Sequence, residues 1–192
     1  MKGRLIVVTG PSGAGKGTLI RELLVHRPTL EVAVSATTRA RRVGEVNGSD
    51  YHFLTDLEFD LRIEDKAFYE YVEYVSGHRY GTLVSEVERI LNLGKSCVLE
   101  LETQGAIAVK KREPKAVTIF IASPSYEELE RRLRERATEG SGEIDERLAL
   151  ARCQMDEVSL FDHVVVNDSV KRAAKEVVAI VDREVEAPQR SA

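Results

Sequence analysis

Nine consecutive residues, Gly10-Pro11-Ser12-Gly13-Ala14-Gly15-Lys16-Gly17-Thr18, combine closely spaced glycines with one lysine and two hydroxyls. The apolar run Leu5-Ile6-Val7-Val8-Thr9 feeds directly into them. Successive backbone N–H groups can wrap a polyphosphate where a strand turns sharply into a helix N-terminus, and a lysine there follows the phosphates. A nucleotide is therefore the first ligand to consider, the alternative being a glycine-rich turn that binds nothing. The common form of such a loop sets Ser or Thr straight after the lysine, where the hydroxyl meets Mg²⁺. Here that position is Gly17, and the hydroxyl comes one residue later, at Thr18.

A second concentration of chemistry lies at Ser35-Ala36-Thr37-Thr38-Arg39-Ala40-Arg41-Arg42. Arginine offers planar, bidentate hydrogen bonds to phosphate oxygens, so such a cluster near a nucleotide loop suggests a second phosphate site. Taken alone it is matched by the plainer reading of a solvated basic loop.

The elements that must position these residues are legible as apolar, β-branched runs at Leu5–Thr9, Val32–Ala36, Cys97–Leu101, Val117–Ala122 and Val164–Val166. Stretches of helical period lie between most of them, the pattern of a buried parallel sheet with alternating helices. Thr18–His26 continues the loop as a helix, closed by Pro28. Thr55 with Glu58 and Ser125 with Glu128 read as capping boxes. Within Tyr126–Arg136 the spacing predicts ion pairs Glu127/Arg131, Glu128/Arg132 and Glu130/Arg134. Ala137–Glu143 loses apolar period and reads as a mobile loop, with a new helix near Asp145 and a last one from Val170 to Val185. From Ser35 to about Ser85 the rhythm breaks into short segments rich in Gly, Arg and Tyr, which suits a small, partly antiparallel substrate lobe.

Composition narrows the function class. At 192 residues with 43% hydrophobic content, one domain with a substantial core is expected. No apolar run approaches a membrane span, and the polar start running straight into a strand leaves no room for a signal peptide. Cys97 and Cys153 make neither a disulfide framework nor a metal motif, so a reducing cytoplasm is the expected setting. A net charge of −4 argues against general nucleic-acid binding. The four histidines have no ligand spacing and read as structural or exposed.

The spelling Gly-Lys-Gly-Thr is similar to that of adenylate kinases. Ser35–Arg42, followed by Gly44-Glu45-Val46-Asn47-Gly48-Ser49-Asp50-Tyr51-His52-Phe53, strongly resembles the guanylate kinase signature, and the likeness extends to Val165-Val166-Asn167-Asp168. That resemblance implies a P-loop NTPase fold: a five-stranded parallel sheet flanked by helices (1–34, 83–130 and 148–192), a small mixed-β GMP-binding lobe (35–82) and a helical lid (131–147). It implies ATP-dependent phosphorylation of GMP, and of dGMP, with Mg²⁺ accompanying ATP. Oligomeric state is left open.

The resemblance also distributes roles. Gly10 to Thr18, with Lys16 at the phosphates, would hold ATP, joined by Arg132 and by Asn167 near the adenine. Arg39, Arg42, Tyr51 and Tyr80 would bind the GMP phosphate. Ser35, Glu70, Thr82 and Glu102 would hold guanine, whose N1–H and exocyclic amino group present adjacent donors to a carboxylate. Lys16, Arg39, Arg136 and Arg147 would carry catalysis, the two lid arginines bridging the transferring group. The family usually has Asp-x-Asp-x-Gln-Gly where this chain has Glu100-Leu101-Glu102-Thr103-Gln104-Gly105, so each carboxylate is one methylene longer. Glu100 and Thr18 are the candidates near Mg²⁺. The count back from Tyr80 points to an insertion in Val75–Arg79, which makes Glu73 a second candidate for the base. Two rivals remain at this level: a non-catalytic interaction module of the same fold, and a related kinase acting on a ribose phosphate.

Overall fold

The computed structural model describes residues 3–74, 77–136 and 141–186; for Arg136, residues 141–144, Arg147 and Glu186 it describes the backbone but not the side chains. The chain runs β1 (Leu5–Thr9), α1 (Lys16–His26), β2 (Leu30–Val32), β3 (Ser35–Thr37), β4 (His52–Phe53), α2 (Asp56–Glu64), β5 (Phe68–Glu73) and β6 (Arg79–Leu83). It continues through α3 (Val84–Asn92), β7 (Ser96–Glu100), α4 (Thr103–Arg112), β8 (Val117–Ala122) and α5 (Tyr126–Arg136). α6 (Ser141–Asp156), a 3₁₀ turn (Glu157–Leu160), β9 (His163–Val166) and α7 (Val170–Glu186) complete it.

Five strands pair in the order β2-β7-β1-β8-β9, with parallel registers throughout. Every residue of β1 and β8 is buried, because helices cover both faces. Strand alternation sends Ile6 and Val8 to one core, with Leu19 and Leu23 of α1 and Val177 and Val181 of α7. Leu5 and Val7 face the other, with Val87, Ile90, Val109 and Phe120. The chemistry-bearing residues therefore collect at the carboxyl ends of β1 and β7, where open α/β sheets bind ligands.

The run Val32–Ala36, expected as one strand, is divided between two sheets. β2 follows β7 as far as Val32↔Val98, and the Ala33 N–H still reaches the Val98 carbonyl at 3.0 Å. The Val34 N–H then turns to the Glu86 carboxylate at 3.3 Å, and Ser35 pairs antiparallel with Thr82. The apolar run is continuous because Ala33 and Ala36 enter different cores.

The second sheet, in the order β4-β3-β6-β5, is mixed: β3 pairs parallel with β4 and antiparallel with β6, and β5 pairs antiparallel with β6. Its core is small, built on Ala36 and on Phe59 and Phe68, whose rings stack at 4.3 Å. Both halves of the Thr55–Glu58 capping box form at the start of α2. At Ser125 only half forms: the Glu128 N–H donates to the Ser125 hydroxyl at 3.2 Å, while the Glu128 carboxylate is taken by Arg131 and Arg132.

Ion pairing on α5 also departs from expectation. Glu128–Arg132 and Glu130–Arg134 form, but Arg131 pairs with Glu128 and Glu135 rather than with Glu127. Two arginines hold the Glu128 carboxyl down at about 2. α1 begins at Lys16, two residues earlier than the spacing predicts, and α6 begins at Ser141 rather than near Asp145. The polar run expected as a loop thus includes the first turn of a helix, and its remaining residues, 137–140, lie outside the described ones. No helix of the described residues is long and apolar enough to cross a membrane.

Candidate active site

The loop after β1 is held open by backbone geometry. Gly15 precedes α1 at φ 94°, a left-handed conformation, and a Cβ there would stand 2.4 Å from the Asn167 amide nitrogen. Asn167, at the end of β9, is buried and its side-chain amide donates to the Ala14 carbonyl at 2.8 Å. The Arg132 guanidinium in turn donates to the Asn167 carbonyl at 3.1 Å. These two residues thus hold the outer wall of the loop. Lys16, first in α1, donates from Nζ to the carbonyls of Gly10 at 2.6 Å and Pro11 at 3.2 Å. The amino group is thereby folded over the loop whose N–H groups and helix terminus attract anions.

A cleft of about 620 Å³ extends from this loop to the second sheet. Ser12, Gly13, Gly15, Lys16, Gly17 and Thr18 form one end. Ser35, Arg39, Arg42, Tyr51, Glu70 and Tyr80 come from the lobe, and Glu100 and Glu102 from the end of β7. Arg39 is oriented by an ion pair with Glu45 at 2.7 Å, and its guanidinium lies 5.5 Å from the Tyr51 ring centre and 5.7 Å from that of Phe53. The other Glu45 oxygen accepts the Arg42 N–H at 2.7 Å. One carboxylate thus sets both arginine positions, while Arg39 holds Glu45 below its ordinary range. Tyr51 meets Tyr80 edge to face at 6.0 Å, and burial raises its hydroxyl pKa.

Glu70 and Glu73 separate clearly. Glu70 is buried on β5, and its Oε1 accepts both the Thr82 N–H at 3.0 Å and the Thr82 hydroxyl at 2.8 Å. Burial raises its pKa, opposed by those two bonds. Glu73, three residues further and on the alternate face, is exposed and does not line the cleft. The Glu70 carboxylate needs room from α4: a Cβ on Gly105 would lie 2.7 Å from Oε2. Thr82 is buried behind Glu70 and meets the cleft through it.

Glu100 is open to the cleft yet flanked by protein, and its pKa is raised, first by desolvation and then by Glu102, against the opposing charges of Lys16 and Arg21. Its oxygens lie 3.6 and 3.8 Å from where a Cβ on Gly17 would stand. The residue that breaks the common loop spelling therefore faces this carboxylate. Thr18 lies one position on, its hydroxyl accepting from Arg21 at 3.2 Å. Among the described residues no group of three or more His, Cys, Asp or Glu side chains is placed to hold a metal.

Several participants had no role in the sequence reading. Arg21 lines the cleft one helical turn after Thr18, a spacing that marks it. Glu45 and Asp50 sit inside the recognised signature, and Glu45 earns its role through Arg39. Gln154, on α6, donates to Glu102 at 2.6 Å across more than fifty residues of chain, which no local pattern announces. The side chains of Arg136 and Arg147, expected in the lid, lie outside the described residues.

Comparison with known proteins agrees with this geometry. A family model described as guanylate kinase matches residues 2–184. The chain is similar to the guanylate kinase of Rubrobacter xylanophilus, 50% identical over 95% of each chain. It is 45% identical to that of Thermus thermophilus, over 96% of this chain and 83% of that protein. Among solved structures, guanylate kinase from Anaplasma phagocytophilum superposes with a TM-score of 0.78 at 29% identity, over 95% of this chain and 86% of that one. A sugar kinase from Janibacter at TM-score 0.52 and 14% identity shares the fold alone. A match of this extent, with relatives this similar across nearly their whole length, establishes that the chain belongs to the guanylate kinase family.

Proposed function

We infer that this chain transfers the γ-phosphoryl group of ATP to GMP, and to dGMP, giving ADP and the guanine nucleoside diphosphate. The observation that carries the reading is a single cleft with an anion-binding loop at one end and an arginine, tyrosine and carboxylate pocket at the other. The parallel-sheet core would hold ATP on residues Gly10 to Thr18, with Lys16 leaving the Gly10 and Pro11 carbonyls for the phosphates. Arg132 and Asn167 act through the loop they brace. The lobe, residues 35–82, would take GMP: Arg39, Arg42, Tyr51 and Tyr80 at the phosphate, and Ser35, Glu70, Thr82 and Glu102 around guanine.

A phosphate oxygen of GMP attacks the γ-phosphorus as the bond to the β–γ bridging oxygen breaks, with ADP leaving in line. No proton need move; the work is positioning and stabilising charge on the transferred oxygens. Arg39 holds the acceptor, Lys16 the donor, and Arg136 and Arg147, in the lid segment 131–147, would close on the group in flight. Closure also excludes water, the competing acceptor.

The donor set fits Mg²⁺: a hydroxyl and a carboxylate are hard oxygen ligands, and Gly17 adds no side chain beside Glu100. Thr18 and Glu100 would hold it, through water and ATP oxygens. When bound, the ion neutralises charge on the β- and γ-phosphates. A cytoplasmic setting, where ATP and GMP meet, suits this activity.

The test is ³¹P NMR of the protein with ATP, Mg²⁺ and GMP. Equal amounts of ADP and GDP are expected; ATP hydrolysis without GDP, or no turnover at all, would overturn the reading.

A further inference from the structure

We infer that Gln154 is a positioning residue for guanine recognition, fixing the Glu102 carboxylate in the cleft from the far side; this rests on the reading of Glu102 as a base contact. Glu102 occupies the N-cap position of α4 with extended backbone, φ −71° and ψ 161°, and makes no side-chain cap bond. Its carboxylate reaches instead toward α6, where Gln154 Nε2 donates to Oε2 at 2.6 Å. Gln154 is only 3% exposed, so its amide cannot exchange that bond for water without cost.

The length of the side chain explains why such a partner is needed. A glutamate has one rotatable bond more than an aspartate would have here, which on its own would spread the carboxylate over several rotamers. An amide donor from a packed helix selects one of them. It is neutral, so it leaves Glu102 its charge, and a carboxylate has about four acceptor sites, of which the amide uses one. The remaining acceptors face the donors of the base. Gln154 also lies two helical turns after Arg147, about 10 Å along α6. The helix that carries a lid arginine is thus tied to the guanine end of the cleft. Gln104, donating to Glu157 at 2.7 Å, is a second tie between α4 and the turn that follows α6.

Steady-state kinetics on Gln154→Met, a nearly isosteric helix former without a donor, tests the inference. KM for GMP should rise about ten-fold, the factor expected for one charge-assisted hydrogen bond, while KM for ATP and kcat stay within about two-fold. Glu102→Asp ends one methylene short of the amide, so adding Gln154→Met to it should change KM for GMP by less than about two-fold. Gln154→Leu repeats the comparison should the methionine variant not fold. An unchanged KM for GMP, a parallel rise in KM for ATP, or an equal effect in both backgrounds would overturn the inference. Wild-type protein that makes GDP with a KM for GMP that Gln154→Met leaves unchanged would remove this role alone; wild-type protein that makes none would remove the proposed activity.

Discussion

The two ends of the cleft are made of different material. The loop after β1 is a backbone device: glycine conformations, a helix terminus and one lysine, within nine consecutive residues. The end proposed for guanine is a side-chain device. Ser35, Glu70, Thr82, Glu102 and Gln154 come from β3, β5, β6, the start of α4 and α6, and meet only when the second sheet and two helices pack. Backbone dipoles tolerate any polyphosphate, whereas carboxylates set at fixed distances discriminate between bases. On the proposed reading, the generic substrate is thus bound by local sequence and the specific one by tertiary structure.

The largest expected effect falls at the generic end. Lys16→Ala should lower kcat by about 10³-fold or more, because it removes the one loop charge aimed at the transferred group. Its fold should survive, since the lysine bonds only loop carbonyls, and a coupled ADP-release assay beside a thermal melt checks both. Turnover near the wild-type value would erase the division of labour. At the other end, Glu70→Gln should raise KM for GMP by about 10²-fold while leaving KM for ATP within about two-fold. Equal effects on both substrates would mean that the two ends are not separable.

How much of this was legible in sequence follows from the same contrast. The loop could be read because its chemistry is contiguous, and the arginine cluster because its signature is long. Glu70 and Glu73 could not be told apart, since period-two alternation puts only one of them toward the core and the insertion expected before Tyr80 obscured which. The register Glu70↔Thr82, opposite Gly105, decides it. The change of sheet between Val32 and Ser35 was hidden because both cores accept small apolar residues there. The Gln154–Glu102 bond had no signal at all, as a glutamine in a helix is an ordinary surface residue until the helix is packed.

Acidity sharpens the contrast at a middle scale. Burial puts the Glu70 pKa above the ordinary glutamate range, and protonation would replace acceptor capacity for guanine with an O–H donor. Lowering pH through that raised value should therefore raise KM for GMP before it touches KM for ATP, and Glu70→Gln should flatten the profile. The sign for stability is opposite: the neutral acid is favoured in the fold, so Glu70's contribution is greatest below the ordinary glutamate range and is lost as pH rises through the raised value. Denaturant melts of wild type and Glu70→Gln across that window check the slope.

A smaller effect is expected from Glu45→Gln, which loosens Arg39 without removing it. KM for GMP should rise about five-fold with KM for ATP unchanged, measured in the same assay. Smallest is Arg131→Gln, which breaks exposed pairs with Glu128 and Glu135 on the surface of α5. It should shift stability by less than about 1 kcal/mol by denaturant melting and leave both KM values alone.

The most direct test of the two-ended cleft is an acceptor panel with ATP held constant: GMP, dGMP, AMP, UMP and ribose phosphates compared by kcat/KM. The account predicts that the two guanine nucleotides are phosphorylated best, and that the others lag because the Glu70 and Glu102 carboxylates find no matching pair of donors. Best activity on any acceptor without guanine would contradict it.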